Sequence, residues 1–324
     1  MTQDELVAAT EKSFSVTTPN DAGRRNPNGE RRMGFYPRSI FGCLLLVMFF
    51  LALCFAKPLY DLVRFALQNE LSSHLPAIPF ISLYFVWLNK RSRIGVSKPF
   101  RRLALFPLAA GLSALAGYWT LAGPALPQND YLALTIFAFV ALVWASCLLI
   151  LGRDTVRSAA FPIAFLLLMV PMPMFLQDAI EVFFQHTSAV AAWLMLKATG
   201  TLVFRDGLEF RVPGMTMVVA QECSGIRSSL VLFITSLVAG HLFLRSPWKK
   251  AVLVCAVIPL GILRNGFRIL TIAQLCIHVN PEMINSPIHR RGGPIFFLLF
   301  LIPFFLMLYF LRRSEFRKTS QRNS

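Results

Sequence analysis

Long apolar runs recur along almost the whole chain, and they constrain its fold more than any other feature. A stretch of roughly 20 predominantly apolar residues is the length that crosses a bilayer as an α-helix. The chain has 324 residues, of which 56% are hydrophobic, and a mean hydropathy of +0.59. We therefore predict an all-α, polytopic integral membrane protein with about eight transmembrane helices. The predicted spans are residues 40–57, 75–89, 103–122, 131–151, 158–176, 224–244, 250–277 and 294–311.

Two segments between the fifth and sixth predicted spans have other patterns. Residues 177–200 are amphipathic and too polar to span comfortably, so we expect a helix along the interface, with Trp193 and Lys197 near the headgroups. Residues 201–220 alternate apolar and polar positions around Asp206-Gly207, a strong turn signal. This pattern predicts a small hairpin that leads directly to the sixth span.

The distribution of basic residues predicts the orientation of the chain. Of the 32 Lys and Arg residues, 22 lie in alternate loops and both tails, whereas the other loops carry seven. The positive-inside rule then makes both termini cytoplasmic, which requires an even number of spans, and the hairpin extracytoplasmic. We expect a multi-pass protein of the cell inner (plasma) membrane. The basic segments are residues 1–39, 90–102, 152–158, 245–250 and 312–324.

This distribution divides the chain into three parts and limits its partners. We predict a disordered basic cytoplasmic tail over residues 1–38, a membrane-embedded catalytic domain over 39–312, and a basic cytoplasmic tail over 313–324. The net charge of +16 lies between spans and forms no basic face with polar readers, so we expect the lipid bilayer and no nucleic acid as a partner. The six cysteines form no CxxC pair, and we predict neither a metal site nor a cofactor.

Four residues that carry chemistry are expected at the outer ends of three consecutive spans. Cys223 opens the sixth span, Arg264 and Arg268 lie toward the outer end of the seventh, and His289 precedes the eighth. Ionisable residues within spans are rare and costly, which makes them candidates for function.

The chemistry of these residue types is complementary. A cysteine at a helix N-terminus and near a cation is shifted toward the thiolate, which attacks an amide carbonyl. A histidine can protonate the leaving amine and later deprotonate the incoming nucleophile. An arginine stabilises the thiolate or the developing oxyanion. Together they predict an acyl-transfer site with a thioester intermediate.

Each assignment has an alternative. Cys223 can be a packing residue, and Arg264 and Arg268 can be anchors that extend to the interface. Arg227, one helical turn after Cys223, either helps to hold the thiolate or pairs with Glu222.

The histidines are also open to more than one interpretation. His289 can be an ordinary loop residue, and His278 in the same loop is a substitute for it. His241 is expected at the cytoplasmic end of the sixth span, too far from Cys223 to meet it.

At these positions the sequence resembles the exosortase/archaeosortase family of membrane proteases and transpeptidases. The resemblance covers residues 73 to 300, and its strength comes from three motifs that occur in order on one face. They are Glu222-Cys223-Ser224-Gly225-Ile226, Asn265-Gly266-Phe267-Arg268-Ile269, and His289 with Gly293 shortly after. Weaker marks of the family are Ser73-His74-Leu75-Pro76 with Ser82 and Trp87, and Val170-Pro171-Met172-Pro173.

The resemblance implies a role for each catalytic residue and a class of substrate. Cys223 is implied as the nucleophile, His289 as the general acid/base and Arg268 as the stabilising cation, although Arg264 is close enough to share the role of Arg268. The implied substrates are secreted proteins whose C-terminal sorting signal consists of a short motif, a hydrophobic helix and a basic end. The implied activity is cleavage or transpeptidation by a cysteine endopeptidase.

Two other classes of function compete with an enzyme. A membrane transporter or channel would carry ionisable residues and interrupted helices near the bilayer midplane, where most of these spans are Leu, Phe, Val and Ala. A non-catalytic scaffold would not need Cys223. A membrane-impermeant thiol reagent separates them, because only the enzyme requires a reactive, outward-facing Cys223.

Overall fold

The computed structural model describes residues 38–88, 101–122, 126–151, 153–213, 215–219, 224–280, 282–283 and 292–323. The predicted N-terminal tail lies outside these residues apart from Arg38, and so do Cys223 and His289. The predicted C-terminal tail is described as far as Asn323, where it continues the last helix.

The described residues form twelve α-helices and one three-stranded sheet. In chain order the helices are α1 Arg38–Cys54, α2 Ala56–Gln68, α3 Ala77–Leu88, α4 Arg101–Gly117, α5 Gln128–Ile150, α6 Arg153–Ser158, α7 Ala160–Phe165, α8 Met174–Ala198, α9 Ile226–Phe243, α10 Pro247–Cys255, α11 Val257–His278 and α12 Gly293–Asn323. The strands are β1 Phe204–Asp206, β2 Glu209–Val212 and β3 Met215–Val218.

The helices confirm a polytopic, almost entirely α-helical membrane protein. Seven helical segments of the described chain are long and apolar enough to cross a membrane, and the pair formed by α1 and α2, bent by 69°, brings the number to eight if it is one span. The seven are Glu70–Leu88, Arg101–Thr120, Gln128–Ile150, Met174–Ala198, Ile226–Phe243, Pro247–His278 and Gly293–Glu315.

The predicted fifth span, residues 158–176, is interrupted. α7 is followed by a 3-10 turn, Leu166–Met169, and the chain is then extended up to Pro173. Val170, which precedes Pro171, has φ −74° and ψ 121° because a residue before proline avoids the helical region. The continuous apolar part, Ala160–Met169, is only a short helix.

The interfacial expectation for residues 177–200 also needs correction. They belong to α8, a continuous helix of 25 residues that is apolar enough to cross a membrane. Five of its polar residues fall at helical spacing on one stripe, while His186, Thr187 and Lys197 lie on other faces of the helix. The stripe contains Gln177, Asp178, Glu181, Gln185 and Ser188.

Contacts between helix termini define two ends of the bundle. The start of α5 meets the start of α8, because Asn129 Nδ2 donates to the Met172 carbonyl at 2.7 Å and the Met174 N–H donates to Asp130 Oδ1 at 2.8 Å. Met172 also lines a cavity with Ile226, the first residue of α9. We call this end, which carries β1–β3, the sheet end.

The other end is marked by the last turn of α9. The His241 ring stacks on Phe161 of α7 with 3.8 Å between ring centroids, and Phe85 of α3 meets both rings edge-on. The interrupted segment from α6 to Pro173 therefore still connects this opposite end to the sheet end.

α8 and α11 pack side by side and run in the same direction. A Cβ on Gly261 would lie 3.3 Å from Phe184, and one on Gly266 would lie 3.0 Å from the Ala191 Cβ. Further along, Gln274 Nε2 donates to Thr201 Oγ1 at 2.8 Å. α8 thus starts at the sheet end and runs away from the opposite end. Although it is long enough to cross a membrane, it does not bring the chain back to the opposite end.

The predicted hairpin is present and has a third strand. β1 and β2 are antiparallel across Gly207, whose φ of +58° suits the turn, and β2 pairs with β3. Phe210 of β2 is completely buried against α8 and α11, which stabilises the sheet by about 1.5–3 kcal/mol. The sheet is therefore fixed to these two helices.

Candidate functional site

The site is built around the turn that begins α9. Gly225 is the N-cap residue and has φ +74°, a conformation that side chains other than glycine rarely adopt. Ser224 before it is buried, and its hydroxyl donates a long hydrogen bond of 3.4 Å to Glu181 Oε1 on α8. Cys223 comes directly before Ser224 in the sequence and lies outside the described residues.

Arg264 of α11 closes over this turn. Its side chain is 6% exposed, and Nη2 donates to the Gly225 carbonyl at 3.0 Å. The same carbonyl accepts the first intrahelical bond of α9, from the Ser229 N–H at 3.1 Å. A Cβ on Gly225 would lie 2.4 Å from Arg264 Nη2, so the guanidinium occupies the space that any other side chain would need.

A second side chain of α8 holds the chain on the other side of the 220–223 segment. Gln185 Nε2 donates to the carbonyl of Val219, just after β3, at 2.6 Å, and this glutamine is buried. Gln185 and Glu181 are four residues apart and so lie on one face of α8. The last described residue before Cys223 and the first one after it are therefore held by neighbouring positions on one helix.

Arg268 lies one helical turn beyond Arg264 on α11 and is half-buried. Asn265 between them is completely buried, and its side chain also approaches Gly225, since a Cβ there would lie 3.2 Å from Asn265 Cγ. Arg264 and the N-terminus of α9, with its positive dipole end, thus meet at one turn, and the second cation, Arg268, lies one helical turn further along α11. Such an arrangement favours a thiolate or an oxyanion over a neutral group.

The start of α12 adjoins the same turn. Gly293 and Pro294 line a cleft of about 240 Å³ together with Arg227 and Ser228 from the first turn of α9. His289, the predicted general acid/base, lies outside the described residues, four positions before Gly293 in the sequence. The chain that follows it therefore enters the bundle beside α9.

Arg227 has a different partner from the one proposed above. Its Nη1 contacts Glu70 Oε2 in the 3-10 turn Glu70–Ser72, and both side chains are largely exposed. The proposed partner Glu222 is outside the described residues. Ser73-His74-Leu75-Pro76, the early motif of the family, follows the turn Glu70–Ser72 directly, and this turn contacts the start of α9 through Glu70.

The segment Val170-Pro171-Met172-Pro173 also lies at the sheet end. Met172 borders an apolar cavity of about 290 Å³, which Ile226 and Phe184 line as well. The motifs that are far apart in the sequence are therefore brought to one end of the bundle. Within the described residues, no group of three or more His, Cys, Asp or Glu side chains is arranged to hold a metal ion.

The structure separates two other histidines from this turn. His278 is exposed at the end of α11, 14 positions from Arg264, which is about 21 Å along a helix axis. His241 lies in the last turn of α9, at the opposite end. The structure thus argues against His278 as the substitute for His289, and it places His241 at the end of α9 where the sequence predicted it.

Sequence reasoning missed the contributions of α8. Glu181 and Gln185 were not among the candidates, because residues 177–200 were assigned to the membrane interface rather than to the site. The signal was present as the polar stripe, since polar residues repeated at helical spacing on one face of a largely apolar helix indicate a polar partner.

The fold and the site define a class: a polytopic membrane protein with a cationic polar site at the end of its helix bundle that carries a small sheet. The chain matches the family model for transmembrane exosortases (Exosortase_EpsH) over residues 66–306. This is most of the chain, and the protein belongs to the transmembrane exosortase family, whose members are membrane proteases or transpeptidases that process sorting signals. Comparisons with curated proteins and with solved structures found no match.

Proposed function

We propose that this protein is a cysteine endopeptidase or transpeptidase that cleaves the C-terminal sorting signals of secreted proteins by acyl transfer at Cys223. The observation that carries the proposal is the contact of the buried Arg264 with the N-terminus of α9, at the turn that follows this cysteine in the sequence, with Arg268 one helical turn further along α11. A buried cationic turn of this kind stabilises the thiolate and the oxyanion on which such a reaction depends.

The reaction has two halves. The Cys223 thiolate attacks the scissile carbonyl, and Arg268 stabilises the negative charge that develops on its oxygen. His289 gives a proton to the leaving amine, and a thioester joins Cys223 to the N-terminal part of the substrate. An amine or a water molecule, deprotonated by His289, then attacks the thioester. This step releases the processed substrate and regenerates the Cys223 thiolate.

The membrane supplies the substrate in the correct orientation. With both termini cytoplasmic, the opposite end of the bundle faces the cytoplasm and the sheet end faces outward. Arg264 is 15 positions from Lys249, about 22 Å along the α10–α11 pair, which supports a site near the outer boundary of a hydrocarbon core of about 30 Å. A substrate helix with a basic cytoplasmic end would present its short motif at this depth.

The proposal is tested by co-expression with a secreted reporter that carries a candidate sorting signal. Mass analysis of the reporter should find a new C-terminus with the wild-type protein, and only intact reporter with Cys223→Ala. Cys54→Ala is the matched control, because Cys54 is an exposed cysteine of α1 remote from the site, and it should process normally. Normal processing by Cys223→Ala would contradict the proposed mechanism.

A labelling experiment addresses the orientation and the reactivity independently of any substrate. A membrane-impermeant thiol reagent added to intact cells should modify Cys223 and leave the Cys223→Ala variant unlabelled. An inert Cys223 would favour a transporter, channel or scaffold.

A further inference from the structure

The most buried cation of the site makes a contact with the main chain rather than with an acidic partner. Arg264 is 6% exposed, and its Nη2 donates to the Gly225 carbonyl at 3.0 Å. Arg268, one turn along, is half-buried. The two arginines of α11 thus differ in burial and in what they are placed to do.

The Gly225 turn depends on this contact in a specific way. A glycine adopts φ +74° without strain and has many other conformations open to it, so its contacts select this one. The Gly225 carbonyl also accepts hydrogen bonds from the Ser229 N–H and the Ser228 hydroxyl. The guanidinium fills the volume beside the Gly225 Cα, at 2.4 Å from the Cβ position. A planar, rigid donor of this size keeps the turn from changing its conformation.

The same turn is held from α8 through its flanking residues. Glu181 accepts from the Ser224 hydroxyl, and Gln185 donates to the Val219 carbonyl. The residues on either side of the 220–223 segment are therefore attached to α8, and the turn at its end is attached to α11.

We infer that Arg264 is a positioning residue, which fixes the Gly225 turn two residues after Cys223 in the sequence, while Arg268 remains the cation for the reacting atoms. This inference rests on the proposed function. It assigns different roles to two arginines that the sequence alone does not distinguish. A displacement of about 1 Å of a reacting group lowers a rate by about 100-fold, so the loss of Arg264 should reduce turnover strongly.

The test uses the full-length protein in membranes with the sorting-signal reporter, and every rate is divided by the amount of folded enzyme. Arg264→Gln should lower kcat by about 100-fold and change KM less than about 3-fold, since the contact orients the nucleophile and does not bind the substrate. Arg264→Lys, which restores one donor but not the planar fork, should recover part of the loss. Lys249→Gln is the matched control, because Lys249 is a buried cation at the opposite end of the same helix pair, and its kcat should stay near that of the wild type.

A second measurement, the rate of Cys223 alkylation, does not depend on the reporter. It keeps the inference testable even if a variant folds poorly. The rate of Cys223 alkylation against pH should change in both shape and maximum for Arg264→Lys, because the thiolate has lost its fixed surroundings. A purely structural role would lower the yield of folded protein but leave the alkylation profile of the folded fraction unchanged.

The outcomes separate this inference from the proposed function. If the wild-type protein processes the reporter and Cys223→Ala does not, the proposed function stands. Arg264→Gln or Arg264→Lys with a wild-type kcat and alkylation profile then overturns only the positioning role. If the wild-type protein processes no reporter but its alkylation profile changes with Arg264, the positioning role stands and the proposed function is wrong.

Discussion

Both ends of α9 are surrounded by buried polar side chains, but these side chains have different partners. At the opposite end, Lys249 donates to the Leu311 carbonyl at 3.1 Å and to Ser314 Oγ at 2.6 Å. Glu315 accepts from the main-chain N–H groups of Arg245 and Ser246 at 3.1 and 2.9 Å. The Glu315 bonds satisfy main-chain N–H groups where the chain passes from α9 to α10, and the Lys249 bonds join α10 to α12.

At the sheet end the polar side chains contact the chain around the predicted nucleophile instead. Arg264, Glu181 and Gln185 hold three groups of the turn region, which belong to Gly225, Ser224 and Val219. The comparison teaches that burial of polar groups alone does not identify a site. What distinguishes the sheet end is that two helices hold one short segment of a third.

The packing of glycines differs in the same way. A Cβ on Gly240, near the opposite end of α9, would meet its nearest atom at 3.7 Å, which is ordinary contact. A Cβ on Gly261 or Gly225, at the sheet end, would meet an atom at 2.6 or 2.4 Å. The packing around Gly225 and Gly261 is therefore too tight for added atoms, whereas the packing beside Gly240 is not.

The largest expected effect is that of Gly225→Ala. The positive φ costs an alanine about 1–2 kcal/mol, and the added Cβ also displaces Arg264, so processing of the reporter should fall at least 100-fold. Gly42→Ala in α1, where no atom lies within 4 Å of the Cβ position, should leave processing unchanged. Near-normal processing by Gly225→Ala would mean that the turn is not part of the site.

A matched pair of glycine substitutions tests the packing comparison. Gly261→Ala places its Cβ 2.6 Å from Ser229 Oγ and should destabilise the protein by about 1–3 kcal/mol, whereas Gly240→Ala should be neutral or stabilising. Thermal unfolding in detergent measures both. The double substitution Gly261→Ala with Ser229→Ala should recover part of the loss, and equal effects of the two single substitutions would remove the distinction between the ends.

The sequence predicted the class of fold and the family, because apolar length and motif order are local properties of the chain. It was less accurate for two segments, because it predicted a continuous span over residues 158–176 and an interfacial helix over 177–200. An extended Val170 before Pro171 interrupts the first of these, and the stripe that contains Gln185 makes the second a partner of the site. Which helix faces that stripe is decided by tertiary packing, and no pattern within one segment records it.

Tertiary packing also decides the difference between the two arginines of α11, which the sequence alone does not show. The spacing of Arg264 and Arg268 shows that they share a face of one helix, but only the close approach of α9 at Gly225 distinguishes their contacts. Gly225 itself could have been interpreted from the sequence as a turn residue. The position requires a glycine for a second reason, however, because the Arg264 guanidinium occupies the space of a Cβ.

Smaller effects are expected from substitution of one carboxylate at each end of α9, Glu181 at the sheet end and Glu315 at the opposite end. Glu181→Ala removes the acceptor of the buried Ser224 hydroxyl, worth about 0.5–1.5 kcal/mol, and should lower processing by up to about tenfold. Glu315→Ala should lower the unfolding temperature and leave the rate per folded molecule unchanged, since its partners are the N–H groups of Arg245 and Ser246. A slower rate per folded molecule for Glu315→Ala would show that the two ends are coupled.

The smallest effect is expected at the exposed pair of Arg227 and Glu70. An ion pair in which the two side chains are 57% and 79% exposed contributes less than about 1 kcal/mol, and salt screens it further. Arg227→Ala and Glu70→Ala should therefore lower the unfolding temperature slightly and equally, and process the reporter at similar rates. If Arg227→Ala instead slows processing more than tenfold while Glu70→Ala does not, Arg227 acts on the reacting groups. The cationic site would then extend from α11 to the first turn of α9.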